Sequence, residues 1–266
     1  MLSGLVRRYG REIVTAGTRE KVRVESRPTV RNFPTLRVAR TTMTTAQQAA
    51  SDDVIRTALR SRLLVEHATN SDSVFVDELG LCRGQVRVDV AVVNGLLHAY
   101  EIKSDCDNLR RLAKQVDIYG RVVDRATIVV GDRLLECASE AVPAWWGVIR
   151  VRTKPNGVQL TTVRRPGKNP SRNPRALAEL LWSADAISLL EERGIVRGIR
   201  GKPRRMLWDR VCEEYSVDEI ARAVRLRLKA RATRPSCESP ETHGESCQVF
   251  ATHLPNHTAE PRRPQP

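Results

Sequence analysis

The chain has 266 residues, 41% hydrophobic and only 4% aromatic, enough for a packed core in one large domain or two small ones. Its net charge of +14 points to a polyanionic partner, nucleic acid ahead of a membrane surface. No apolar run approaches the ~18 residues of a membrane helix. The N-terminus has arginines but no apolar signal core, and six cysteines without C-x-x-C spacing suit reduced thiols. The expected compartment is the cytoplasm, without membrane association.

The charge is unevenly placed. Residues 1–50 carry 10 Lys+Arg against 3 acids, residues 51–149 carry 12 against 15, and residues 150–231 carry 20 against 9. An acidic middle framed by basic flanks suggests a cation-holding site beside phosphate-holding surfaces. Residues 1–42 are Arg-rich and weakly patterned, and read either as an extension upstream of a start at Met43 or as a basic nucleic-acid-binding arm. A helix is expected from Ser51, a cap with Asp52 and Asp53 in the first turn, through Leu59, Leu63 and Leu64 on one face.

Three strands follow: VFVDELGL (74–81), QVRVDVAVV (85–93) and LLHAYEIKS (96–104). Asp107 is a candidate cap for a helix over 108–123, with Leu109, Leu112, Val116 and Tyr119 inward. ATIVVGD (126–132) has the continuous apolar character of a buried central strand, and 134–142 suits a helix. A second hairpin turns at Pro155-Asn156-Gly157. Residues 43–165 thus form an α/β domain with a mixed sheet, in the order α-β-β-β-α-β-α-β-β.

GKNPSRNPR (167–175) reads as a linker into a small basic helical module within 166–231. That module ends on a Ser216–Glu219 capping box and a helix whose Arg and Lys residues form an exposed basic face. Residues 232–266 are Pro-, Ser- and Thr-rich and are expected to be disordered; Cys237, His243, Cys247, His253 and His257 fit no structural zinc spacing.

The chemistry lies in the first hairpin. Were Asn94, Gly95 and Leu96 a three-residue loop, Val93 would pair with Leu97, Asp89 would lie opposite Glu101, and Arg87 opposite Lys103. Val86, Val88, Val90 and Val92 would then share the other face with His98, Tyr100 and Ile102. Two adjacent carboxylates repel, and a hard divalent cation relieves them. Mg²⁺ tolerates few protein ligands, so Asp89, Glu101 and the Ile102 carbonyl would suffice, with Lys103 placed to stabilise developing phosphorane charge.

D-x(11)-E-I-K on adjacent strands, followed by a helix, resembles the PD-(D/E)XK nuclease superfamily. The layout RVDVAV…YEIKSDCDNLRRLAKQ is similar to a group of bacterial and phage proteins within it. The resemblance implies a restriction-endonuclease-like fold, a mixed β-sheet flanked by helices. It also implies an Mg²⁺- or Mn²⁺-dependent phosphodiesterase acting on DNA, in repair, recombination or a mobile-element context. Glu78, Asp89 and Glu101 would hold the metal, with Glu66 an alternative to Glu78. Lys103 would assist attack, and Gln115 with Tyr119 matches a Q-x-x-x-Y pattern that positions the site. Arg87, Arg110, Arg111 and Lys114 would touch the phosphate backbone, and such folds often cut as homodimers.

Two blander readings compete. The charged residues could form cross-strand salt bridges on a solvated face. Alternatively, the fold could bind nucleic acid without catalysis. An interaction protein whose basic surface meets an acidic protein is a third class.

Overall fold

The structure is a computed structural model and describes residues 50–233. The expected basic extension (1–42), the start at Met43 and nearly all of the expected disordered tail (232–266) lie outside the described residues.

The chain runs α1 (Asp52–Glu66), β1 (Val74–Leu81), β2 (Val86–Val93), β3 (Leu97–Lys103), α2 (Leu112–Val122) and β4 (Arg125–Gly131). It continues, after a short 3-10 turn, with α3 (Leu135–Ala141), β5 (Gly147–Lys154), β6 (Gly157–Arg164), α4 (Pro174–Ala178), α5 (Ser183–Glu192), α6 (Arg204–Glu214) and α7 (Val217–Ala232). The six strands form one sheet in sequential order. Pairing is antiparallel except for β3–β4 and β4–β5, where α2 and α3 supply the crossovers that parallel strands require. The mixed sheet and the expected element order are both present.

α1 covers one face, where Ile55, Leu59 and Leu63 pack with Phe75, Val90, Val92, Tyr100 and Ile102. The other face is covered by a larger cluster that joins Val88, Ala91, Ala99 and Ile128 to α2 and continues without a break into α4–α7. Residues 167–175, read as a linker, are bound to the sheet domain. Asn169 is buried, its amide group donates to the carbonyls of Gly120 and Val123, and the Asn173 N–H donates to the Arg121 carbonyl. The helical segment therefore shares the sheet's core.

Asp124, immediately before β4, ties these parts together. Its carboxylate is 5% exposed and accepts from the Leu97 N–H at 2.8 Å, Arg172 at 2.6 Å and Arg225 at 3.0 Å. Most of the exposed basic face expected on the last helix is likewise drawn into ion pairs, with Arg222 left exposed. Arg225 meets Asp124, Arg227 meets Glu192, Lys229 meets Asp72, and Arg231 meets Asp185. Those acids lie far away in sequence, so a helix read by itself shows only its cations.

Candidate active site

The first hairpin has the register predicted from its loop. Val93 pairs with Leu97, Val92 with His98, Ala91 with Ala99 and Val90 with Tyr100. Asn94 closes the loop, its side-chain oxygen accepting from the Leu96 N–H at 2.9 Å.

Beyond Val90 the flat alternation fails. Val86 and Val88 share a face with Ala91 and Val93, so the side-chain period slips by one residue at Asp89. β1 slips in the same place: Val76, Leu79 and Leu81 share that face, and Glu78 takes a left-handed φ of 53°. Glu78 and Asp89 are the two residues missing from an otherwise continuous β1–β2 ladder. The expectation that Val86 and Val88 face the same way as Val90 and Val92 is therefore corrected. So are the direct pairings of Asp89 with Glu101 and Arg87 with Lys103, because the β2–β3 ladder ends at Val90 and Tyr100. The cause is a paired kink, where an inserted residue in each strand re-aims the side chains.

At the splay, Asp89 substitutes for the lost backbone partner. Its Oδ2 accepts from the Ile102 N–H at 2.6 Å. Arg56 on α1 donates to the Asp89 carbonyl at 2.6 Å, and its guanidinium bridges Glu78 Oε1 at 2.9 Å and Asp89 Oδ1 at 3.4 Å. Glu78 also faces Arg87 Nε at 3.8 Å.

Glu101 is 1% exposed and looks toward α2. Its Oε1 accepts from the buried Lys103 ammonium and from the Gln115 amide at 2.5 Å, and its Oε2 accepts from the Tyr119 hydroxyl at 2.6 Å. Gln115 and Tyr119 stand one turn apart, which brings both onto the same carboxylate. Tyr119 stacks on Trp146 with ring centroids 5.3 Å apart, fixing the hydroxyl's position. The Asp89 carboxyl is pushed up to about 7, first by burial and then by the nearby Glu101 charge, which outweigh the Ile102 N–H, Arg56 and Lys103. The Tyr119 phenol is pushed well above its ordinary value by burial and then by Glu101, so it remains a donor.

The structure thus brings together Asp89, Glu101, Lys103, Gln115 and Tyr119, while Glu78 joins through Arg56. Among the described residues no three His, Cys, Asp or Glu side chains converge as a metal-holding group. The two carboxylates still suit a hard cation in donor type. Burial and mutual repulsion leave Asp89 short of positive charge, and the Gln115 Oε1 is buried without a partner. Glu66 sits at the end of α1, paired with Arg62.

Arg110, Arg111 and Lys114 are exposed around the start of α2. That helix begins at Leu112, later than expected, because Asp107 closes a turn on the Ser104 N–H (2.7 Å) and hydroxyl (2.8 Å) instead of capping it. Sequence reasoning missed Arg56 and Asp124. A lone Arg on the half-buried flank of α1 carries no signal, whereas an Asp between the apolar runs of α2 and β4 was a visible one.

The family model for bacteriophage P4 protein cII matches residues 45–238. Protein cII of Enterobacteria phage P4 is 30% identical over 126 residues, which are 47% of this chain and 47% of that protein. The chain therefore spans about half the length of the curated relative it matches, and no solved structure matches it. With its two layers of helices, its mixed sheet and the matched stretch running through both, the chain belongs to the bacteriophage P4 protein cII family.

Proposed function

We propose that this chain is a metal-dependent phosphodiesterase of the PD-(D/E)XK type, acting on nucleic acid and on DNA first. The observation that carries the reading is the convergence of Lys103, Gln115 and Tyr119 on the buried Glu101 carboxylate, with Asp89 beside it on the neighbouring strand. The α1-β1-β2-β3-α2-β4 order, with β2 antiparallel to both β1 and β3 and β4 parallel to β3, supports a restriction-endonuclease-like arrangement.

Asp89 and Glu101 would hold Mg²⁺ or Mn²⁺, which supplies Lewis acidity and neutralises charge on a phosphodiester. Lys103 brings a fixed positive charge to the developing phosphorane. Gln115 and Tyr119 hold the Glu101 carboxylate in one rotamer, so its orientation is set before substrate arrives. Arg87, Arg110, Arg111 and Lys114 offer exposed charge to the backbone.

One observation favours a second reading, a nucleic-acid-binding protein without catalysis. Glu101 already has three donors, and Arg56 bridges Glu78 and Asp89, so internal cations partly balance the cluster. Asp89→Asn separates the two. An enzyme loses metal-dependent cleavage and keeps DNA affinity, whereas a pure binder is indifferent to both metal and substitution.

A further inference from the structure

We propose that residues 196–205, the end of the loop between α5 and α6 with the first two residues of α6, form a second contact for a nucleic-acid phosphodiester backbone, apart from the Glu101 cluster. The inference rests on the reading of the partner as nucleic acid given above.

This stretch reads VRGIRGKPRR, five cations and no acid in ten residues. Elsewhere in the helical layer most cations are matched by acids, Arg175 by Asp209, Arg193 by Glu219, Arg225 by Asp124 and Arg227 by Glu192, while Arg222 stands exposed by itself. Here the matching thins: Arg204 lies over the Trp208 ring, and three other cations stand by themselves. Arg197, Lys202 and Arg205 are exposed and have no acidic partner among the described residues. Arg200 meets Glu191 at 3.0 Å, yet its side chain remains 80% exposed. Concentrated like charge destabilises the compact state, and a polyanion relieves it.

The backbone suits that task. Ile199, 5% exposed, anchors the loop in the core, and the Lys202 N–H turns back to the Ile199 carbonyl at 3.4 Å. Gly198 and Gly201 adopt left-handed φ values of 73° and 71°, and a Cβ on either would meet nothing within 4 Å. The chain thus bends on both sides of Arg200 with open space beside it, so phosphate can approach main chain and side chains together. A pocket of about 410 Å³ adjoins the loop, lined by Ile195, Arg197, Lys202 and Met206, and its acids Asp209 and Glu213 are already held by Arg175 and Arg210. Guanidinium forks match phosphate oxygens bidentately. Anionic lipid is the less suitable occupant. Val196 and Met206, 59% and 48% exposed, are two isolated side chains, while interfacial membrane binding uses a continuous apolar helix face.

The test titrates labelled duplex DNA with the full chain across a salt series, comparing wild type with R197Q/K202Q/R205Q, Arg222→Gln and Glu101→Gln. Phosphatidylserine vesicles run in parallel. The triple variant is expected to bind duplex more weakly at low salt, with the slope of log K against log salt reduced by about 0.9 for each contact removed. Arg222→Gln, an exposed cation of α7 outside the loop, is expected to keep the wild-type slope. An unchanged slope in the triple variant overturns the proposal, as does an equal per-residue effect of Arg222→Gln. Loss of vesicle binding alone overturns it too. If cleavage still vanishes in Glu101→Gln while the triple variant's slope is unchanged, the loop fails and the active-site reading stands. A wild type that binds no nucleic acid sinks both.

Discussion

The Tyr119 hydroxyl donates to Glu101 Oε2 at 2.6 Å, and both side chains are almost wholly buried. A hydrogen bond to a charged group contributes ~1.5–3 kcal/mol, and the loss is softened here because Lys103 and Gln115 still donate to Glu101. Tyr119→Phe keeps the ring stacked on Trp146 and removes only this donor. We expect a stability loss of about 1–2 kcal/mol by urea denaturation, and a larger proportional loss of any metal-dependent cleavage. Equal stability and equal activity would show that the phenol does not position Glu101.

Asp124 offers a purely structural test. Asp124→Ala leaves Arg172 and Arg225, half-buried or less exposed, without their shared carboxylate, and orphans the Leu97 N–H. Breaking a buried pair from one side costs about 3–5 kcal/mol. Asp218→Ala removes an 84% exposed partner of the same Arg172 and is expected to cost less than about 1 kcal/mol. Urea midpoints of the two variants should therefore separate clearly.

His98 gives the pH dependence. Its ring nitrogens meet Thr127 Oγ1 at 2.9 Å and the Tyr100 hydroxyl at 3.1 Å, and burial, then the Arg125 charge, lowers it from 6.5 to about 3. Above 6.5 the imidazole is neutral in both states and contributes its full stability. As pH falls from 6.5 towards 3 the unfolded chain binds a proton that the folded chain refuses, so stability declines, at no more than about 1.4 kcal/mol per pH unit. In His98→Leu the urea midpoint should be lower overall but flatter between pH 7 and pH 4. A variant as steep as wild type would assign the acid sensitivity to other groups.

Asp89 links the site to metal. Its carboxyl, held up to about 7 by burial and Glu101, is relieved by a bound cation, and a ligand that binds only the folded state raises its stability. At pH 8, Mg²⁺ is expected to raise the thermal midpoint of the wild type and leave Asp89→Asn unchanged. Equal shifts in both proteins would point to nonspecific binding elsewhere.

The hairpin register followed from the sequence once a three-residue loop was supposed, since loop length fixes strand pairing, and the structure shows that loop at 94–96. Glu101 and Lys103 were legible on the second strand, and Gln115 with Tyr119 through the resemblance to the Q-x-x-x-Y pattern, whose i, i+4 spacing puts both on one helix face. The kink at Glu78 and Asp89 was not, because a period of two presumes an unbroken strand, and an inserted residue leaves no mark in composition. The inward pairing of the α7 cations was hidden for a different reason: Asp72, Asp124 and Asp185 reach them only through the tertiary fold.

The most direct measurement is cleavage of a mixed panel by the purified chain: linear duplex, single strand, supercoiled plasmid and four-way junction, each with Mg²⁺, Mn²⁺ or EDTA. Glu101→Gln runs beside the wild type. Metal-dependent cutting by the wild type, absent with EDTA and absent in the variant, is the predicted result. No cutting of any substrate, with salt-sensitive DNA binding retained by both proteins, would contradict the enzyme reading and leave a binding protein built around a charge-balanced Glu101 cluster.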